Sequence, residues 1–338
     1  MSSARFRVRF AGPLVSLQDA GRPGYMRFGV PGSGPMDRLG FAAAHAALGQ
    51  PAHATAVEVS MGGLELTCLS GTVTVAMAGG GFAAAVNGAT GDGWQVRTLA
   101  AGDTLSLRAG AWGSWCYLAF AGQVQAPPWL GHTATHAASG LGGGMLRSGM
   151  EFEVAEPRSL PDRNGDIPVP EIARPATTIR VVPGPQDHRF APGATEALLQ
   201  NSYTVSEAYD RMGLRLIGAS LSLADALSIP SEPILRGSVQ VSGDGVPTVL
   251  LADHQTTGGY PKIATVLSTD LDRLVQNRAG AHIRFVAVSP EDAIAAVRAD
   301  HAARAEALEQ IAQPRGSLEQ RLLRENLISG VVSVKPPN

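Results

Sequence analysis

The sequence predicts a mainly β protein with a few helices, built as two β-rich subdomains followed by C-terminal helices. Three observations lead there. Glycine and proline are abundant, 40 and 23 of 338 residues, so turns recur along the whole chain. Short alternating segments lie between those turns, such as residues 72–77 (TVTVAM), 103–107 (DTLSL) and 238–242 (SVQVS). Such period-two patterns mark half-buried strands. The length and an apolar content of 44% suit about two domains rather than one.

In chain order, Phe6, Val8 and Phe10 alternate as a strand over residues 4–10. A Gly/Pro-rich loop covers 20–37, and residues 38–49 read as a short helix ending at Gly49. Strands dominate to about residue 122, and 123–150 is an irregular Gly/Thr-rich stretch. Pro157, Pro161, Pro168, Pro170 and Pro175 mark 156–176 as a linker between subdomains 1–155 and 177–288. A helical extension is expected over 289–330. Ser289-Pro290-Glu291-Asp292 supplies a cap, a proline at the first helical position and acids in the first turn. Ile294, Val297, Ala305, Leu308 and Ile311 follow at near-helical spacing, then a short helix at 317–327 and a frayed tail from 331.

Composition excludes several functions. Only two of the 27 basic residues are lysines, Lys262 and Lys335, and neither follows a glycine run, so there is no G-x-x-x-x-G-K-[ST] phosphate loop. Nor is there a Met-Lys-Met context for carried biotin. A net charge of −2 gives no basic footprint for nucleic acid. The N-terminus lacks a signal peptide's apolar run, and the charge-free stretch 66–91 is broken by Gly79-Gly80-Gly81, so no membrane segment is expected. Cys68 and Cys116 are expected to be reduced and buried, in a cytoplasmic protein.

The most informative segment is Val246–Pro261. An apolar strand ends at Asp253, and Gln255-Thr256-Thr257-Gly258-Gly259-Tyr260 follows, with Lys262 just beyond. Paired glycines let backbone N–H groups converge on an anion or a carbonyl oxygen, and the hydroxyls and amide add donors. Asp253 suits a base or an acceptor of a substrate N–H. The same residues also make an ordinary turn. A second cluster, Gln18-Asp19-Ala20-Gly21-Arg22 through Asp37, places two acids, a glutamine and an arginine in one glycine-rich loop. Asp19 joins Asp253 as a candidate catalytic carboxylate, and Gln18, Arg22 and Asp37 are candidate substrate contacts. Arg22 suits bidentate binding of a carboxylate, or an internal pair bracing the loop. Arg211, in Asp210-Arg211-Met212-Gly213, is a further candidate contact. His132 and His136 have helical zinc-ligand spacing, but flanking Gly131, Thr133 and Thr135 argue for a loop and no third ligand is evident. No metal is expected.

Residues 231–261 with their continuation ADHQTTGGYPKIATVLSTDL, the loop QDAGRPGYMRFGVPGSGPMD, Glu58 with Gly62-Gly63, Ala101-Gly102-Asp103, Pro183-Gly184-Pro185 and Asp210–Gly213 resemble the KipA family. That family is also called allophanate hydrolase subunit 2, and it includes the C subunits of 5-oxoprolinases and biotin-dependent carboxyltransferases. The resemblance runs in order from about residue 5 to 288. It implies a cyclophilin-like β-barrel architecture and a hetero-oligomer with a KipI-type chain and a LamB/YcsF-type chain. Their joint activity is that of a hydrolase, an ATP-dependent 5-oxoprolinase opening a small cyclic amide to glutamate. Two alternatives are a carboxyltransferase moving CO2 from carboxybiotin to urea or a related amide, and a regulator that binds a KipI-type chain. No cofactor is carried covalently in any of these; ATP or carboxybiotin comes through the complex. The chain departs from the family pattern at His45, Trp115, His132, Tyr209 and Ser242.

Overall fold

The computed structural model describes residues 3–224 and 228–316, and the expected helix at 317–327 and tail from 331 lie outside the described residues. Two antiparallel sheets come first. One has seven strands, in the order Gln123–Val124, Glu151–Ala155, Ser3–Ala11, Leu64–Ser70, Thr104–Trp112, Gly81–Val86 and Ala89–Asp92. The other has six, in the order Gly165–Asp166, Gln95–Ala100, Thr72–Ala78, Trp115–Phe120, Ala56–Ser60 and Ser16–Gln18. Phe6, Val8, Leu66 and Leu107 from the first sheet share one core with Val57, Val75, Met77 and Val96 from the second. Trp115–Phe120 is buried at every residue, because helix Arg38–Ala47 covers its other side and Phe41 meets Tyr117 edge-on, 5.7 Å between centroids. A strand covered on both faces reads as a continuous apolar run rather than an alternating one.

Seven more strands close a barrel, in the order Thr178–Pro183, Lys262–Val266, Ser238–Val241, Pro247–Leu250, Gly213–Ile217, Ser202–Tyr209 and His282–Ala287. Ile179, Val181, Leu214, Leu216, Val239, Val249, Ile283 and Phe285 fill it. The fold is therefore mainly β, as the turn-rich alternating sequence predicts, and it contains a closed barrel, as the family resemblance implies.

The proline-rich segment 156–176 is more than a tether. Gly165–Asp166 adds an edge strand to the second sheet, and Ile167 and Ala173 enter the sandwich core. Helix Pro290–Ala312 begins as expected, with the Ser289 hydroxyl capping the Asp292 N–H. Its inward stripe includes Ala293, Asp300, Arg304 and Ile311, whereas Ile294 is exposed. The two charged members explain why an apolar-only pattern misplaces that stripe. Asp300 accepts from Arg180 (2.5 Å) and Thr269 (2.8 Å), and Arg304 donates to Asp272 (2.5 Å), so the helix is fastened to the barrel by ion pairs. Cys68 and Cys116 are free and buried. No helix among the described residues is long and apolar enough to cross a membrane.

Candidate functional site

Between sandwich and barrel lies a buried ionic network. Arg211 sits just before barrel strand Gly213–Ile217, and its Nε and Nη2 donate to the two oxygens of Asp253, each at 2.9 Å. Its Nη1 pairs with Glu58, and Nη2 also donates to the Gly34 carbonyl at 2.7 Å. Glu58 projects from a sandwich strand and accepts the Met36 N–H and the Tyr117 hydroxyl, both at 2.8 Å. Burial would raise the Asp253 pKa, but Arg211 outweighs it and holds the carboxylate below its ordinary range. Asp253 also accepts the Ala137 N–H at 2.9 Å. Asp253 and Arg211 are each 1% exposed. The expected base and the expected substrate contact are thus partners of each other, joining three segments in a dry interface.

Asp37 is likewise internal. Its carboxylate caps helix Arg38–Ala47 through the Gly40 N–H (2.9 Å) and accepts from Gln276 (2.7 Å). Burial and the neighbouring Asp272 carboxylate push its pKa up to about 7. Gln18 is buried on its strand and donates to Ser16 Oγ (2.9 Å) and the Thr135 carbonyl (3.0 Å). Neither is placed to touch a ligand.

A cleft of about 380 Å³ runs along the glycine-rich loop, lined by Asp19, Arg22, Ser33, Arg38, His53 and His132 among others. Asp19 and Arg22 are the sequence candidates that line it. One Asp19 oxygen accepts the Gly21 N–H (2.9 Å), the other the Thr133 N–H (2.8 Å) and stands 3.5 Å from His132 Nδ1. Arg22 binds no carboxylate. It is 1% exposed and donates to the carbonyls of Trp129 (3.1 Å) and Ala134 (2.7 Å), with its guanidinium 4.4 Å from the Trp129 ring centre. Burial lowers its pKa. Arg22 therefore braces the 129–134 hairpin that carries His132.

The Gln255–Tyr260 loop forms the barrel's rim. Thr257–Gly258 pairs with Glu232–Pro233, and Gln255, Thr257 and Tyr260 are exposed while Thr256 and Gly259 are half-buried. Neither glycine lies among the positive-φ residues, so the expected anion nest is not formed. Gly258 is required instead by close approach: a Cβ there would stand 2.6 Å from Gln240 Nε2, which donates to the Tyr260 carbonyl at 3.0 Å. Lys262 is 3% exposed and reaches Glu232 at 3.3 Å, and Glu232 also accepts from Gln186 at 2.5 Å. No group of three metal-ligating side chains occurs among the described residues, and His136 pairs with Ser139 at 2.8 Å.

The profile of the carboxyltransferase domain, subdomain A and B, matches residues 28–287. The chain belongs to this carboxyltransferase family. It is 32% identical over 290 residues to the C subunit of 5-oxoprolinase from Escherichia coli, covering 85% of this chain and 92% of that one. It is 33% identical to the counterpart from Haemophilus influenzae, covering 82% and 90%. The crystal structure of Kluyveromyces lactis urea carboxylase superposes with a TM-score of 0.80 at 25% identity, covering 91% of this chain and 29% of that one. Another solved chain, 32% identical with a TM-score of 0.75, is covered over 55% of its length.

Three residues noted above as departures from the family pattern have a physical reading in the structure. Trp115 Nε1 donates to the Tyr209 hydroxyl at 2.7 Å, and that hydroxyl donates to the Val275 carbonyl, so the indole and the phenol are both satisfied across the interface. His45 is fully buried against Phe41, and burial brings its pKa down to about 4, which keeps it neutral. The cleft residues that sequence reasoning does not single out are Arg38 and His53. Each is set by long-range packing and carries no local motif. His132 shows a local signal only through its spacing to His136, which points to a metal rather than to Asp19.

Proposed function

We propose that the chain is the C subunit of an ATP-dependent 5-oxoprolinase, acting with KipI-type and LamB/YcsF-type partner chains on a small cyclic amide. The observation that carries this reading is one of extent. The match spans 92% of the E. coli protein but 17% of the Lachancea kluyveri urea amidolyase and 29% of the K. lactis carboxylase. The matched region thus corresponds to nearly the whole of a C subunit and to a minor part of the fused enzymes. A cleft of about 380 Å³, with two histidines and Arg38 on its wall, has the size and polarity for a small amide bearing a carboxylate.

ATP fits a partner better than this chain. Lys262 is buried on Glu232, and neither Gly258 nor Gly259 takes the positive φ of a phosphate-binding nest, which supports placing ATP on a partner. A second reading, transfer of CO2 from partner-borne carboxybiotin to urea or a related amide, draws on the superposition with urea carboxylase. The two are separated by an omission assay. The reconstituted complex should form glutamate from 5-oxoproline only with ATP and only when this chain is included. Equal turnover without the chain rejects the reading.

A further inference from the structure

We propose that His132 is the proton-accepting group of the cleft and that Asp19 is its positioning residue. This rests on the amide-substrate reading above. His132 follows a two-residue hairpin turn in which Leu130 and Gly131 have φ of 52° and 81°, the positive-φ pair of a tight turn. Trp129 and His132 exchange backbone hydrogen bonds at 2.8 and 3.1 Å across it. Arg22 clamps both ends of the hairpin, at the Trp129 and Ala134 carbonyls. The backbone bearing His132 is thus fixed from below by a buried cation.

Asp19 is fixed as well, since both oxygens accept backbone N–H groups and the residue is 7% exposed. One of those oxygens faces His132 Nδ1 at 3.5 Å, the long separation common for acid–base partners before substrate binds. A carboxylate on that side favours the Nδ1–H tautomer and leaves the Nε2 lone pair as the base. The His132 side chain is 31% exposed on the cleft wall. The other charged or titratable groups lining the cleft are Arg22, Arg38 and His53. Arg22 is spent on carbonyls, and Asp253 is locked on Arg211 beneath.

The substrate amide N–H bond breaks as the proton joins Nε2, giving an imidazolium beside the Asp19 carboxylate. The electron pair left on nitrogen delocalises onto the amide oxygen. In the oxoprolinase reading, that oxygen takes the phosphoryl group of partner-bound ATP and ADP leaves. Water then adds to the activated carbon, placing one proton on nitrogen. The C–N bond breaks as His132 returns its proton to that nitrogen, the hydroxyl proton goes to solvent, and a second water splits the acyl phosphate into glutamate and phosphate. In the carboxyltransferase reading, the nitrogen attacks CO2.

Two measurements test this. Nitrogen-15 NMR of the histidine-labelled full chain should show neutral His132 as the Nδ1–H tautomer, lost in Asp19→Asn. An Nε2–H tautomer in the wild-type chain overturns the proposal whatever the substrate. In the reconstituted complex, His132→Gln should lower kcat by roughly 10²–10⁴-fold with KM within about threefold, and should remove the acid limb of the kcat/KM profile. Wild-type rate with the limb intact overturns it. A wild-type complex inactive on 5-oxoproline and urea rejects the functional reading alone, and the tautomer then decides the pairing.

Discussion

Arg211 and Asp253, 42 residues apart in the chain, form a bidentate ion pair in which neither side chain is more than 1% exposed. Breaking a buried pair from one side strands the other charge and costs about 3–5 kcal/mol. Asp253→Ala is therefore expected to lower stability by that order, read as a fall in the urea midpoint at unchanged slope. A variant of wild-type stability that loses only turnover would return Asp253 to a catalytic role.

Asp37 makes stability depend on pH. Its folded pKa is raised from 3.8 to about 7, so between those values the folded chain holds a proton that the unfolded chain has released. Stability from this residue is full below pH 3.8 and is lost as pH rises towards 7. Asp37→Asn keeps a capping oxygen and removes the titration. Variant stability minus wild-type stability should rise from about pH 4 to 7 and level off above. Facing Gln276, the amide adds only a constant offset. A pH-independent difference in denaturation midpoints contradicts the assignment.

The Trp115–Tyr209 contact should behave as a coupled unit. Tyr209→Phe deletes the acceptor of the indole N–H and leaves both that donor and the Val275 carbonyl without this partner. The expected cost is about 1–3 kcal/mol for buried groups left unpaired. A double-mutant cycle with Trp115→Phe should give a coupling of roughly 0.5–3 kcal/mol. Strict additivity is the contrary result.

Gly258→Ala tests the barrel rim. The new Cβ would press on Gln240 Nε2, and overpacking of this kind costs about 1–3 kcal/mol. Gln240→Ala should relieve the clash, so the double variant should be more stable than Gly258→Ala alone. Equal destabilisation of the two would show that the glycine serves another purpose.

The strands and the start of helix Pro290–Ala312 were legible because alternation and capping are local patterns, whereas the barrel was legible only through the family resemblance. The family was legible from long ordered motifs. The site was less so. Asp19 and Asp253 look alike in sequence, each an acid beside a glycine-rich loop. Only the fold puts Arg211 and Glu58 against one and open cleft with His132 against the other. Arg22 reads as an anion binder until Trp129 and Ala134, more than a hundred residues on, prove to be its partners. Burial and long-range pairing decide such roles, and neither has a local signature.

The proposed activity is tested most directly by product stoichiometry in the assembled complex. Supplied with 5-oxoproline and ATP, the complex containing this chain should release one glutamate for each ADP and should consume no bicarbonate. Urea-dependent carboxylation by a biotin-bearing partner, with no glutamate formed from 5-oxoproline, would contradict it.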